Sequence, residues 1–220
     1  MTTATAGRRA RAGATPRAGS RRPRAGTAAP PSRFTPQLAR LVDTPPSGDA
    51  WVHELKYDGY RIGARIADGE VRLLSRNNND WTERFAPVAA AASRLRVANA
   101  LLDGEVAIVL PDGRTSFQAL QKAGDSRDGT LAYFVFDLLW LDGEDLTGLP
   151  LRERKARLAR LLRRPPAPIR YADHVAGSGA DALATACRLG AEGIVSKRSD
   201  QPYQSGRGPS WLKIKCTARQ

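Results

Sequence analysis

A lysine in the first third of the chain could act as a nucleophile. Lys56 lies between Glu54 and Asp58 in the stretch HELKYDGYR, which ends at Arg61. A lysine at the end of a strand, with two carboxylates and an arginine around it, has surroundings that can activate an amine for attack. An exposed lysine in a hairpin is the alternative, and from this short stretch alone it is the better explanation.

Three later segments place charged side chains within otherwise apolar strands. Glu105 precedes the apolar run 106–110, Glu192 begins another strand, and Lys213 and Lys215 alternate with apolar residues. Burial of a charge without a partner costs free energy, so each of these charged side chains is expected to have a partner or a function. Neighbouring lysines on one strand face repel each other unless an anion lies between them, which indicates a phosphate site. The alternatives are a hairpin turn at Glu105, a solvated strand end at Glu192 and a solvated strand face for the two lysines.

Short strands and Asp-Gly turns are expected to position these residues. Trp51–Lys56 and Tyr60–Ile66 alternate as strands, and Asp58-Gly59 predicts a tight hairpin turn with positive φ angles between them. Many strands with few helices between them favour an α+β fold of antiparallel sheets flanked by helices. The other predicted strands are 71–75, 101–110, 131–141, 169–175, 192–197 and 211–216, and the predicted helices are 82–96, 116–122, 151–162 and 179–189.

Two segments are predicted to be irregular. Residues 34–46 form a lead-in segment, and residues 199–209 form a loop rich in Gly, Ser and Pro. The expected hydrophobic anchors of the lead-in segment are Phe34, Leu38, Leu41 and Val42.

Phe136, within the most apolar strand, could stack on a base, although such a phenylalanine usually belongs to the core.

Composition excludes several classes of protein. The 220 residues are 41% hydrophobic, and no apolar run approaches the roughly 20 residues that span a bilayer. Cys187 and Cys216 are too few for a disulfide framework or a four-ligand zinc site, and the two histidines add little. We therefore expect a protein of the reducing cytoplasm without membrane contact.

The positive charge is concentrated in the amino-terminal part. The net charge is +13, and residues 1–42 hold nine arginines and no acid, which leaves +4 for the remainder. Residues 1–33 have almost no large apolar side chain and are predicted to be a disordered basic tail or linker. As a tail they would lie along phosphates. An organellar transit peptide is the less favoured alternative, since Pro and Gly interrupt any amphipathic helix.

In their order and spacing, these segments resemble the covalent nucleotidyltransferases, the superfamily of DNA ligases, RNA ligases and messenger-RNA capping enzymes. The resemblance covers residues 34–216, and 34–220 would be the adenylation domain. It is greatest to the ATP-dependent ligase modules of bacterial end-joining repair ligases. The segments that resemble family motifs are Glu54–Arg61, Ser75–Asn77, Asp103–Glu105, Tyr133–Leu139, Glu192–Lys197 and Trp211–Cys216.

The resemblance implies a reaction in three steps. Lys56 attacks the α-phosphate of ATP and forms a lysyl–AMP with release of pyrophosphate. The AMP then moves to a DNA 5′-phosphate, and a 3′-hydroxyl displaces it to seal the nick. The amine must be neutral to attack, and nearby cations favour that form.

The resemblance also implies roles for the other residues. Lys213 and Lys215 would assist catalysis and bind the phosphates. Glu105 and Glu192 would hold Mg²⁺ or Mn²⁺, since carboxylate oxygens suit hard cations. Asp58 would support the loop that holds Lys56. The nucleotide-binding residues would be Glu54 and Phe136 for the adenine, and Arg61, Arg76 and Glu105 for the ribose or phosphates.

The sequence departs from the family pattern in two places. Asn78 follows Ser-Arg-Asn where the family usually has glycine, and asparagine tolerates the left-handed conformation better than most residues. The chain stops at Gln220, before the oligonucleotide-binding (OB) barrel that usually follows. We therefore keep two alternatives: an RNA ligase or capping-type enzyme, and a non-catalytic nucleic-acid-binding remnant. The expected partners are nicked or broken double-stranded DNA and end-joining repair proteins, with the chain a monomer at the bacterial nucleoid.

Overall fold

The computed structural model describes residues 28–122 and 129–216, together with Met1. In these ranges the chain forms strands and short helices. The strands are β1 (Gln37–Leu41), β2 (Trp51–Leu55), β3 (Tyr60–Ala67), β4 (Glu70–Ser75), β5 (Ala100–Val109), β6 (Thr115–Ser116), β7 (Thr130–Leu141), β8 (Glu144–Asp145), β9 (Ile169–Tyr171), β10 (Val175–Ala176), β11 (Gly193–Arg198) and β12 (Gly206–Lys215). The helices are α1 (Ala86–Ala92), α2 (Phe117–Gln121), α3 (Leu151–Leu161) and α4 (Gly179–Arg188).

The strands form two sheets. The smaller sheet has the order β1-β12-β11-β2-β10, and the larger has the order β4-β3-β5-β7-β8, with β6 paired to β5 and β9 to β7. Strand β1 is parallel to β12 and β9 is parallel to β7, whereas the other described pairs are antiparallel. The predicted α+β fold of antiparallel sheets flanked by helices is confirmed.

The larger sheet is covered on both faces, as strand β7 shows. Tyr133 and Val135 point to the face on which α1 and α3 pack. Phe134 and Phe136 point to the opposite face, where Trp211 of the smaller sheet packs. This division follows from the two-residue period of a strand. The space between the two sheets therefore lies on the face away from α1 and α3.

The chain crosses from one sheet to the other at residues 56–59, so the predicted hairpin was wrong. Strand β2 belongs to the smaller sheet and β3 to the larger. Neither Asp58 nor Gly59 has a positive φ. The glycine is needed for close approach instead, because a Cβ there would lie 2.1 Å from the Val106 carbonyl oxygen. Asp58 fixes the crossing: its Oδ2 accepts a hydrogen bond from Phe117 N at 3.0 Å.

The lead-in segment is pinned to the larger sheet through Phe34. The Phe34 ring is fully buried and packs against Gly63, where a Cβ would come within 2.5 Å of the ring. Asn78 receives the Phe34 N–H on its Oδ1 at 2.7 Å and donates from Nδ2 to the Phe34 carbonyl at 3.0 Å. Asn78 has a φ of 62°, which confirms that asparagine adopts the left-handed conformation at this position.

Several predicted boundaries were wrong. The lead-in segment contains strand β1, and Leu41, predicted as an anchor, is 55% exposed. Strand β12 begins at Gly206, inside the predicted loop, because its first residues pair with β1. The predicted strand 169–175 divides into β9 and β10, which join different sheets. Helix α1 is shorter than predicted, with a proline in its first turn. No described helix is long and apolar enough to cross a bilayer.

Residues on the amino-terminal side of the predicted boundary at residue 34 also contact the domain. The Ala28 carbonyl accepts a hydrogen bond from Trp140 Nε1 at 3.2 Å. Arg65 donates to the Pro30 and Pro31 carbonyls. The rest of the predicted basic tail, residues 2–27, lies outside the described residues.

A disulfide joins Cys187 in α4 to Cys216, the residue after β12. The composition excluded a disulfide framework and did not predict this single bond. The two cysteines meet because α4 packs on the smaller sheet, where Ala186 contacts Ile214 in a small buried cluster. The bond therefore ties α4 to the strand that carries the two predicted catalytic lysines.

Removal of this disulfide should destabilise the domain. The bond closes a sequence separation of 29 residues, and a loop of that length restricts the unfolded chain by about 3.5 kcal/mol. In urea unfolding, the variant Cys187→Ser/Cys216→Ser should therefore lose about 2–4 kcal/mol. A reducing agent should lower the stability of the wild type by a similar amount and leave the variant unchanged. Equal stability of the oxidised and reduced wild type would contradict this.

Candidate active site

A cleft of about 260 Å³ opens between the two sheets. Strands of both sheets line it, and most of the residues predicted from the sequence meet there. Glu192 and Lys215 are not among the lining residues, but Glu192 binds Lys56 and Lys215 lies beside Glu192. The predicted residues that line the cleft are Glu54, Lys56, Arg61, Arg76, Glu105, Phe136 and Lys213.

Strand register builds one wall of the cleft from the smaller sheet. Val195 of β11 lies opposite Glu54 of β2 and opposite Lys213 of β12. Residues directly opposite each other in a sheet point to the same side, so Glu54 and Lys213 share a face. Two residues further along, Lys197 lies opposite Trp211 and points the same way. The pairing therefore places a carboxylate, two lysines and an indole on one wall.

The larger sheet contributes Arg61 and Glu105, which lie opposite each other on β3 and β5. The guanidinium of Arg61 is already fixed by Asp103, which is fully buried: Nε donates to Oδ1 at 2.5 Å and Nη2 to Oδ2 at 2.6 Å. The hydroxyl of Tyr203 donates to the same Oδ2 at 2.7 Å. Arg61 can therefore present its charge to a ligand from one fixed position.

The amine of Lys56 is held at the edge of the cleft by Glu192. Lys56 Nζ donates to Glu192 Oε2, and the Lys56 backbone N–H donates to the Gly193 carbonyl at 2.9 Å. The side chains of Lys56 and Glu192 are 21% and 30% exposed. Lys215 Nζ lies 3.6 Å from the other oxygen of Glu192, on a side chain that is largely exposed. The amine is thus oriented but still accessible to a ligand.

Glu54 is buried between two lysines. Lys155 Nζ donates to its Oε1 and Lys197 Nζ to its Oε2, both at 2.6 Å. Burial alone would raise the pKa of Glu54, but the two lysines hold that pKa below its ordinary value. Burial lowers the pKa of Lys197 to about 8, and the charge of Lys155 acts in the same direction while Glu54 opposes it. We call these three residues the Glu54 cluster.

Aromatic rings border the Glu54 cluster. Lys197 Nζ lies 4.0 Å from the centroid of the Phe136 ring and 4.1 Å from that of Trp211. The guanidinium carbon of Arg61 lies 4.5 Å from the Phe136 centroid. Such cation–π contacts hold the ring in place. Phe136 is 7% exposed, so it offers a ligand a small part of its surface.

Two ionisable groups of the cleft have pKa values that are shifted away from their ordinary range. A ligand of opposite charge would reverse each shift. Burial raises the pKa of Glu105 to about 7, although Arg61 and Lys56 oppose this. Burial, with the positive charges of Lys56 and Arg207, lowers the pKa of Lys213. A bound cation would favour ionised Glu105, and a bound phosphate would favour charged Lys213. A ligand that carries a metal ion and phosphates would therefore stabilise the charged form of both groups.

Sequence reasoning assigned no role to two residues that line the cleft, Lys197 and Trp211, or to Asp103 and Lys155, which bind lining residues from behind. Lys197, Trp211 and Asp103 stood inside segments that resemble family motifs, so the position of each in its strand could have identified it. Lys155 gave no such signal, because it looked like one of several basic residues on an amphipathic helix.

Comparison with known proteins places the chain among DNA ligases. A family model described as ATP dependent DNA ligase domain matches residues 36–215. The multifunctional non-homologous end joining protein LigD of Pseudomonas aeruginosa is 45% identical over 204 residues, which is 91% of this chain and 24% of that protein. The LigD protein of Mycobacterium bovis is 36% identical over 166 residues, 75% of this chain and 21% of that protein.

A solved structure supports the same assignment. The structure of mycobacterial DNA ligase D complexed with ATP and MES superposes with a TM-score of 0.75 and 33% identity, covering 84% of this chain and 60% of that one. The fold and cleft thus define a DNA ligase nucleotidyltransferase domain. The chain belongs to the ATP-dependent DNA ligase domain family. It spans about a quarter or less of the length of the LigD relatives.

Replacement of Lys155 should destabilise the domain in a pH-dependent way. The pKa of Glu54 is lower in the folded state than its ordinary value of 4.5. The Glu54 cluster therefore stabilises the fold above that pH, and the contribution is lost as the pH falls through the folded-state pKa. Lys155→Met leaves Glu54 half-paired and should cost about 3 kcal/mol near pH 7.

Urea unfolding from about pH 7 down to about pH 3 measures this difference, which should shrink below about pH 4.5 as Glu54 gains a proton. Arg152→Met, an exposed position on the same helix, is the control and should change stability by less than about 0.5 kcal/mol. The same loss of unfolding free energy in both variants, or a loss in Lys155→Met that does not change with pH, would exclude the assigned role of Lys155.

Proposed function

We propose that residues 34–220 are the adenylation domain of an ATP-dependent DNA ligase, which forms lysyl–AMP, transfers AMP to a DNA 5′-phosphate and seals the nick. One observation carries this proposal: Lys56 presents a partly exposed amine at a cleft whose walls hold both the cations and the carboxylates that the chemistry requires. Membership of a family described as ATP dependent supports ATP as the substrate, as does the ATP named for the mycobacterial structure.

In the first step, Lys56 Nζ forms a bond to the α-phosphorus of ATP while the bond to the oxygen of the β-phosphate breaks, and pyrophosphate leaves. The amine loses a proton, and Glu192 Oε2, which accepts the hydrogen bond from Nζ, is placed to receive it. Lys213 in the cleft and Lys215 beside Glu192 supply positive charge where phosphate charge develops.

The Glu54 cluster and Phe136 form the proposed base site. An ionised carboxylate only accepts hydrogen bonds. Adenine offers an amino group at the position where guanine offers an oxygen. Because its lysine partners keep Glu54 ionised, the site favours adenine. Arg61, Arg76 and Glu105 would contact the ribose or phosphates, with Arg61 acting from its fixed position on Asp103.

Glu105 and Glu192 are the proposed ligands of Mg²⁺ or Mn²⁺. Mg²⁺ takes one or two carboxylates and completes its shell with water and phosphate oxygens. The described residues contain no group of three or more His, Cys, Asp or Glu side chains that could hold a metal ion. That arrangement fits an ion shared with a nucleotide, and the ion would supply charge neutralisation for the phosphates.

The proposed partners are nicked or broken double-stranded DNA and end-joining repair proteins, since the relatives are named for non-homologous end joining. We place the protein as a monomer in the bacterial cytoplasm at the nucleoid, where the Arg-rich residues 1–33 would serve as a tail along DNA or as a linker. Disulfides are rare in that compartment, so the Cys187–Cys216 pair would be reduced there.

Lys56→Ala should abolish covalent labelling by α-labelled ATP, because no other amine would replace the nucleophile. The control is Lys122→Ala, which removes the same charge from an exposed residue outside the cleft and should retain labelling. Chelation of divalent ions should also abolish it. A Lys56→Ala protein that still takes up label would exclude Lys56 as the nucleophile.

The same assay separates the proposal from its alternatives. Labelling by ATP and not by GTP, with sealing of pre-adenylated nicked DNA and not of nicked RNA, is the expected result. Labelling by GTP would indicate a capping-type enzyme. Salt-dependent DNA binding without any labelling would indicate a non-catalytic remnant.

A further inference from the structure

A second concave site lies where helices α1 and α3 end. Its volume is about 480 Å³, and Leu95, Leu161 and Pro166 form the apolar part of its lining. No carboxylate is among the lining residues. Five arginines surround it, and we call it the arginine pocket: Arg94, Arg96, Arg160, Arg163 and Arg164.

The arginine pocket lies on the far side of the larger sheet from the nucleotide cleft. Helices α1 and α3 pack on the face that carries Ile62 and Val135. The cleft lies on the face that carries Phe134 and Phe136. The two cavities have no lining residue in common. A ligand of the arginine pocket therefore does not belong to the nucleotide site.

The charge of the arginine pocket is not compensated. None of its guanidinium groups forms an ion pair with a carboxylate of the described residues. Arg94 donates to the Ala167 carbonyl at 3.2 Å, and each helix carboxyl end supplies roughly half a negative charge. About four positive charges remain.

Arginines elsewhere in the domain include both paired and unpaired ones. Arg61 and Arg154 bind buried carboxylates, and Arg157 and Arg198 bind exposed ones. Arg72 and Arg188, for example, form no ion pair among the described residues. The arginine pocket differs because five arginines without ion pairs lie around one concavity. Unpaired arginines gathered around one concavity therefore indicate an anionic ligand supplied from outside the domain.

The shape and chemistry of the pocket favour a phosphate backbone over an acidic peptide. The planar guanidinium group binds phosphate through two parallel hydrogen bonds. Leu95 is 9% exposed and packs in the core beneath α1. Leu161 and Pro166 are partly exposed, but five guanidinium groups around them favour a ligand whose negative charge repeats along its length, as it does in a phosphodiester backbone.

We propose that the arginine pocket binds the phosphodiester backbone of a DNA segment other than the one held at the cleft. The inference takes DNA as the partner from the proposed function. It does not require adenylation, because a phosphate contact needs no bound nucleotide. A domain that holds DNA on two faces could keep a second duplex segment near the one being sealed.

The test measures how the affinity of the full chain for a blunt duplex of about 20 base pairs depends on salt, without ATP. Each phosphate contact contributes about 0.9 to the slope of log K against log salt. Fluorescence anisotropy should show that Arg160→Ala/Arg163→Ala/Arg164→Ala lowers this slope by about 2. The matched control is Arg72→Ala/Arg152→Ala/Arg188→Ala, which removes the same charge from exposed residues outside the pocket and should lower the slope by less than about 1.

Equal slopes for the two triple variants would overturn the proposal. A polyglutamate peptide that loses binding in the pocket variant, while DNA binding stays at the control level, would also overturn it and indicate an acidic protein segment as the occupant. Since ATP is absent, the outcome is separate from the proposed function. A chain that takes no label from ATP but shows the pocket-dependent slope would reject the ligase assignment and support the DNA site.

Discussion

The ionised carboxylate of Glu54 is the interaction on which the geometry of the cleft depends. It joins β2 to Lys197 of β11 and to Lys155 of α3. Lys155 also donates to the Ala172 carbonyl at 3.1 Å and reaches the Phe136 carbonyl of the larger sheet at 3.5 Å. One buried charge therefore ties a helix and both sheets together. Removal of one partner of a buried ion pair costs several kcal/mol, so the walls of the cleft cannot separate without exposing or stranding a charge.

The charges of the domain fall into two groups. Asp103 and Asp137 are fully buried and each binds an arginine, Arg61 or Arg154, through both carboxylate oxygens. Such bidentate pairs fix geometry and leave little freedom for catalysis. The side chains of Lys56 and its partner Glu192 are instead partly exposed, at 21% and 30%. The buried ion pairs therefore hold the walls of the cleft in place, and the partly exposed charged side chains remain accessible to a nucleotide.

Much of the site could be predicted from the sequence, because ordered motifs and strand alternation identify residues that share a wall. Lys213 faces the cleft and Ile214 the core, as alternation requires. The arrangement of the two sheets could not be predicted in this way. Asp58-Gly59 has the composition of a hairpin turn, but the glycine serves a crossing that passes over β5. Likewise, Lys155 becomes recognisable only when α3 packs against Glu54, since tertiary contacts decide which basic residue of a helix is buried.

Mapping of the covalent adduct tests the central claim most directly. The full chain would be incubated with ATP and Mg²⁺, the pyrophosphate removed, and the digested protein analysed by mass spectrometry. The account predicts a single AMP attached through Nζ of Lys56. An AMP on another lysine such as Lys197 or Lys213, or an unmodified chain that nevertheless folds with the Glu54 cluster intact, would contradict it.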